Sequence, residues 1–148
     1  PQLSGLPAFL IEHGGVNSGL MITQYAAASM VSENKVLAHP ACVDSIPSSA
    51  NQEDHVSMGT TAARKALSIL DNSQKVLGIE LFAASQAMTF RDESKLRKAM
   101  SDVYKHIRKS VPAWEHDQIS YIEMNKFDKM VKSAELNELV EETIGTLK

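Results

Sequence analysis

Residues 55–90, HVSMGTTAARKALSILDNSQKVLGIELFAASQAMTF, decide the fold. No proline falls between Pro47 and Pro112, so a helix from about His55 to Phe90 meets only Gly59 and Gly78 as weak points. Within it Ala63, Leu70, Leu77 and Ala84 recur at a seven-residue interval, as do Leu67, Gln74, Leu81 and Met88. Such a repeat is the seam of a helix bundle. The expected fold class is all-α, with long antiparallel helices in a bundle.

The flanking sequence agrees. Residues 18–38 lack proline and mix apolar Leu20, Met21, Tyr25, Ala28, Val31 and Leu37 with small Ala26, Ala27 and Ser29, as in a helix packed on several sides. His39 and Pro40 end it. Residues 41–51 carry Ser45, Pro47, Ser48 and Ser49, the composition of a surface or active-site loop, and the next helix is expected to begin near Asn51. Downstream, Leu96, Met100, Val103 and Ile107 form a third apolar stripe, closed by Ser110 and Pro112, with a basic, exposed opposite face. Two shorter helices follow, one holding Met124, Phe127 and Val131, the other Leu136, Val140 and Ile144, with Ser133 as a cap between them. There is no period-2 alternation and no internal repeat.

Composition narrows the classes of function. At 148 residues, with 43% hydrophobic and 22% charged, the chain reads as one ordinary globular domain with a sizeable core. A net charge of −3 with both signs intermixed gives no basic patch, so nucleic acid is not an expected partner. Cys42 is the only cysteine, which precludes an internal disulfide and fits a reducing cytosol. No stretch has the make-up of a signal peptide or a membrane span, so neither export nor insertion is expected. The chain opens on Pro1 in a loop-like segment without an initiator methionine, and it is read as a piece of a longer protein. Residues 1–50 hold only Glu12, Glu33, Lys35 and Asp44 as charged groups, whereas residues 91–148 hold 11 basic and 11 acidic side chains. The first third should therefore be mostly buried, partly against further sequence or other subunits, and adhesive in isolation.

Chemistry concentrates in Ser48-Ser49-Ala50-Asn51-Gln52-Glu53-Asp54-His55. One reading is a helix N-cap, in which Ser49 or Asn51 accepts from a free amide while Glu53 and Asp54 complement the positive end of the dipole. The other is a site, since a carboxylate on a first turn stays ionised and can accept a proton or hold a cationic ligand. The two are compatible. His13, His39 and His55 lack the paired spacing of zinc ligands, so no metal site is expected. Asp54 and His55 are adjacent and would diverge on a helix, which argues against a catalytic dyad. Cys42 reads as an inert buried thiol, and Met21 as core or as a pocket wall. Gly14-Gly15-Val16-Asn17-Ser18-Gly19 lacks the Lys-Ser/Thr ending of a phosphate loop and reads as a turn that starts a helix.

Four segments carry a resemblance. Gly5-Leu6-Pro7-Ala8-Phe9-Leu10, Gly14-Gly15-Val16-Asn17-Ser18-Gly19, Ser32-Glu33-Asn34-Lys35 with Leu37-Ala38-His39-Pro40, and Ser49-Ala50-Asn51-Gln52-Glu53-Asp54-His55-Val56-Ser57-Met58 resemble the histidine ammonia-lyases, of the aromatic amino acid ammonia-lyases, in order and spacing. The likeness continues through Ala62-Ala63-Arg64 and Ile79-Glu80-Leu81 and thins toward Val111-Pro112 and the helical tail. It covers essentially the whole chain and is strongest over residues 5–67.

This resemblance implies the C-terminal helical domain of a cytoplasmic homotetrameric carbon-nitrogen lyase that converts L-histidine to trans-urocanate in histidine degradation. Residues 1–54 would form the active-site and interface segment, 55–110 the long bundle helices and 111–148 a helical tail. The family's electrophile is a methylidene-imidazolone (MIO) made from an internal Ala-Ser-Gly. Here Ala28-Ser29 precedes Met30 and Ala84-Ser85 precedes Gln86, so the group is expected to form outside this chain, which should be inactive alone. Glu53 resembles the family's active-site glutamate, as a base or a holder of the imidazole, and Met21 and Gln52 resemble substrate-binding positions. Phenylalanine-using relatives tend to carry an amide where Glu53 stands, so the carboxylate implies a polar ring in the substrate. Two other readings remain open, a non-catalytic helical interaction module and another aromatic amino acid lyase or aminomutase.

Overall fold

The computed structural model describes residues 3–44, 46–53 and 56–146. Among them the helices are α1 (Met21–Leu37), α2 (Gly59–Met88), α3 (Lys98–Ser110), α4 (Ser120–Ser133) and α5 (Glu135–Ile144), with short 3-10 turns at Ala8–Leu10 and Glu93–Lys95. Two isolated bridges, Gly14 with Asn17 and Ser48 with Glu53, are the β-type pairings of the described residues. The all-α expectation holds. No helix of the described residues is long and apolar enough to cross a membrane.

The 30-residue helix α2 organises the rest. Its buried face is Gly78, Ile79, Phe82, Ser85 and Gln86. Phe82 meets the Trp114 ring edge-on, with centroids 5.3 Å apart, and stacks on Phe127 of α4 at 5.2 Å. Leu20, Ile107, Val111 and Met130 complete the core around these rings. At Gly78 a side chain would lie 3.0 Å from the Asp128 amide nitrogen and 3.2 Å from the Phe127 carbonyl carbon, so this glycine admits the α4 backbone. What reads in sequence as a weak point of the helix is a place where a neighbouring backbone comes close.

α1 lies antiparallel to α2. Asn72 of α2 donates to Glu33 and Asn34 of α1, Lys65 donates to the His39 carbonyl just beyond α1, and Leu20 at its other end joins the cluster around Phe82. The start of α1 is fixed from a distance. Ser18 and Gly19 donate their backbone N–H groups to the carboxylate of Asp117, at 2.9 to 3.0 Å and 2.8 Å. These two donors hold the Asp117 carboxyl below its ordinary value. Gly19 has φ +54, and a Cβ there would fall 2.5 Å from the Phe9 carbonyl oxygen, so only glycine fits.

Several expectations are corrected. The second helix begins at Gly59, well after Asn51, because the intervening backbone is spent on a tight bridge described below. The row Ala63, Leu70, Leu77 and Ala84 is exposed, together with Leu67 from the second row; the core lies on the face through Ile79 and Phe82. Within this chain alone the first third is largely open, which leaves its expected burial to the further sequence or other subunits already invoked. Among its described residues only Ile11, Leu20 and Thr23 are buried, and Ile22, Tyr25 and Val36 of α1 stand 57%, 69% and 73% open. The main packing partner of α1 among the described elements is α2. Ser133 ends α4 instead of capping α5; the cap position is Ala134, at φ +58, and the Ser133 hydroxyl accepts only a long bond of 3.5 Å from the Glu135 amide.

Gln86 is fully buried and joins three segments: its Nε2 donates to the Leu10 and Trp114 carbonyls at 3.1 and 2.9 Å, and its Oε1 accepts from the Trp114 amide at 3.0 Å. Gln86→Leu strands these backbone groups and is expected to lower the urea unfolding free energy by about 2–4 kcal/mol. Between α2 and α4, Asp71 accepts from Lys132 at 2.7 Å and from Lys75 at 2.6 Å. The Lys132 bond, then that of Lys75, lowers its carboxyl from an ordinary 3.8 to about 2. A depressed carboxyl stabilises the fold fully above its unfolded titration, at about pH 4, and loses that contribution as pH falls toward 2. Acid titration of the thermal midpoint should thus show an Asp71-dependent decline between about pH 4 and pH 2 that Asp71→Asn removes.

Candidate active site

The loop from Ala38 to Met58 joins the facing ends of α1 and α2, and within it one short segment is closely defined. Ser48 and Glu53 exchange backbone bonds, Ser48 N–H to the Glu53 carbonyl at 2.9 Å and Glu53 N–H to the Ser48 carbonyl at 3.3 Å. Inside that bridge Gln52 N–H donates to the Ser49 carbonyl at 3.2 Å. Ser49, Ala50 and Asn51 reverse the chain with φ of +53°, +56° and +64°. Glu53 stands on the far arm of this turn, exposed to solvent, and Gln52 beside it is exposed as well.

This geometry overturns the N-cap reading. A cap residue adopts extended backbone, whereas Ser49 and Asn51 are left-handed. The residue before α2 is Met58, which gives no side-chain cap, so Glu53 is bridge backbone and does not sit on a first helical turn. Asp54 and His55 lie outside the described residues. The Glu53 side chain is therefore solvent-exposed on a turn closed by its own backbone bonds, away from the first turn of α2.

Met21 is the first residue of α1 and half-buried; it starts the helix that leads into the loop. Among the described clefts, several are lined by residues other than Met21, Gln52 and Glu53. One, of about 370 Å³, brings His13 together with His116, Glu12, Glu115 and Trp114. His39 is exposed, and among the described residues no group of three His, Cys, Asp or Glu is placed to hold a metal ion. Cys42 is exposed, contrary to its reading as a buried thiol, because its loop has no element packed over it.

The glycine-rich turn before α1 does bind an anion, but an internal one: the Asp117 carboxylate occupies the Ser18 and Gly19 amides. Sequence reading missed Asp117, since nothing local marks a residue about a hundred positions away as the partner of a turn. Gln86 escaped for the same reason.

The description Aromatic amino acid lyase belongs to a family model that matches residues 1–109. The histidine ammonia-lyase of Alkaliphilus metalliredigens is 59% identical over 147 residues, which cover 99% of this chain and 29% of that protein. Among solved structures, histidine ammonia-lyase from Trypanosoma cruzi superposes with a TM-score of 0.89 at 39% identity, over 100% of this chain and 31% of that one. The tyrosine aminomutase of Streptomyces globisporus gives 0.86 at 31% identity, over 93% and 26%. The chain thus spans less than a third of the length of the relatives it matches. Since the match extends through the loop of Glu53 and the whole of α2, the chain belongs to the aromatic amino acid lyase family.

Proposed function

We propose that this chain is the C-terminal helical part of a cytoplasmic histidine ammonia-lyase, a carbon-nitrogen lyase that releases ammonia from L-histidine and leaves trans-urocanate. The observation that carries the reading is Glu53, an exposed carboxylate on a turn closed by backbone bonds, in a chain 59% identical to a protein named histidine ammonia-lyase. In this reading residues 1–54 form the active-site and interface segment, 55–110 the bundle helices and 111–148 the tail.

Glu53 supplies the polar half of the chemistry. The proton on the carbon next to the imidazole ring is weakly acidic, and its removal needs an acceptor held in place. A carboxylate there can take that proton or hold the ring N–H, and it favours imidazole over phenyl. Met21 would line the substrate's apolar side and Gln52 would donate or accept beside Glu53.

The family's methylidene-imidazolone, when bound, supplies the electrophile that makes the amine a leaving group. This chain does not fit as its source. Ala28-Ser29-Met30 and Ala84-Ser85-Gln86 lack the glycine and lie inside α1 and α2, where helical hydrogen bonding fixes the backbone. The group belongs to residues beyond the 148, and the chain's own part is to bring Glu53 to the substrate.

Self-association of the complete enzyme, in the manner of a homotetramer, draws support from the uncovered apolar faces. Leu67, Leu70 and Leu77 are 67%, 53% and 51% exposed along one side of a helix about 45 Å long, a length and spacing suited to helix-on-helix packing. The interaction-module alternative rests on those same faces, and activity separates the two.

Urocanate formation, followed by ultraviolet absorbance, is expected from the full-length protein and not from these 148 residues alone; absence from both would favour the interaction module. In the full-length protein Glu53→Gln should lower turnover by at least about 100-fold, the usual scale of a positioned acid-base group, with an unchanged thermal midpoint. Unchanged turnover would remove Glu53 from the chemistry. Leu70→Lys with Leu77→Lys should shift the full-length protein to smaller species in sedimentation, and an unshifted profile would take this side of α2 out of any interface.

A further inference from the structure

Three successive residues next to Glu53, none of them glycine, hold a left-handed backbone: Ser49, Ala50 and Asn51, at φ +53°, +56° and +64°. For an L-residue this conformation crowds Cβ against the carbonyl oxygen; asparagine tolerates it best, alanine has no compensating side-chain bond, and runs of such residues are rare. Ser48 to Glu53 are all exposed, so burial within this chain does not offset the cost. Conformations of this kind persist where they are over-determined, and they gather at sites where direction matters.

The turn sets a direction. By reversing the chain in the residues between Ser48 and Glu53, it brings those two opposite each other as an antiparallel pair with reciprocal bonds of 2.9 and 3.3 Å. Facing residues of such a pair carry their side chains on the same side of the ribbon, so the bearing of the Glu53 Cα–Cβ bond follows from the turn. Were Ala50 or Asn51 to relax to the ordinary β or α region, the reversal would open and the bridge could not form.

We infer that Ser49-Ala50-Asn51 is a positioning turn whose left-handed backbone aims the Glu53 carboxylate at the substrate. Asn51 and Ala50 are positioning residues; they act through Glu53 and do not touch the reacting atoms. The inference rests on the reading of Glu53 as the lyase's active-site carboxylate, and it adds that the precision of that group is stored in backbone conformation.

The test uses the full-length lyase. Asn51→Gly and Asn51→Ala both delete the amide and differ chiefly in their tolerance of positive φ. Asn51→Gly should keep kcat/KM for histidine within about twofold of the parent, and Asn51→Ala should lose about fivefold to tenfold, at equal thermal midpoint and sedimentation. Ala50→Gly should keep full activity, and Ala50→Val should lose at least as much as Asn51→Ala. Each variant is then remade with Glu53→Gln, where a turn that works through Glu53 leaves less than about twofold of further loss. Equal activity of Asn51→Gly and Asn51→Ala overturns the proposal, as does a loss of the same size in both backgrounds. If Ala50→Val fails to assemble, the Asn51 pair decides alone. A Glu53→Gln enzyme with full turnover would instead refute the function assigned to Glu53, an outcome distinct from failure of the turn.

Discussion

The carboxamide of Gln86 ties the segment before α1 and the connection after α3 to α2. It is fully buried in a core of aromatic and aliphatic side chains, where an amide is tolerated only if its polar atoms are bonded. Both ends are, to the backbone of Leu10 and Trp114. The geometry of a planar amide then fixes how the segment before α1 and the connection after α3 lie on α2, one turn beyond Phe82. Trp114, held by this amide, packs edge-on against Phe82, and Phe127 of α4 stacks on the same ring. Arg108, at the end of α3, repeats the device on a smaller scale, with its guanidinium donating to the carbonyls of Ser85 and Val111.

Local signals in the sequence delivered the helices, and they did so where the physics is local. Proline-free windows and apolar spacing gave α1, α2 and α3 to within a few residues, and the break at Ser133 separates α4 from α5 as expected. The seven-residue rows on α2 had the right period, and apart from Leu81 they lie outside the core of this chain, because periodicity reports that a face is apolar and is silent on whether this chain or something else covers it. In the described residues the row of Ala63, Leu70, Leu77 and Ala84 is open, while Gly78, Ser85 and Gln86, small or polar, line the closed side. A glycine that admits a neighbouring backbone and a glutamine that bonds three main-chain groups look like flaws in an apolar stripe until the partner is seen.

The loop that carries Glu53 was legible in part. Glu53 emerged from a resemblance and from a cluster of polar residues, and the structure places it on an exposed, bonded loop. The route by which the sequence rationalised it, a first helical turn with a dipole behind it, was mistaken. Ser, Asn and Glu before an apolar run fit a capping pattern, yet the same residues suit a tight reversal, since asparagine and serine serve both. Backbone handedness decides between the two, and it leaves no mark in composition when no glycine is present.

Asp117 grips the amides of Ser18 and Gly19 across nearly a hundred residues of intervening chain. On a ribosome the chain emerges from its N-terminal end, so α1, its loop and most of α2 leave the tunnel before the carboxylate that seats the beginning of α1 has been synthesised. Contacts of such long range are slow to close, because the loop entropy must be given up before the contact repays it. During that interval the apolar residues of α1 and α2 that stay open in the fold are exposed as well. The order of synthesis thus makes the weakly charged first third the segment of this chain that waits longest for its seating contact.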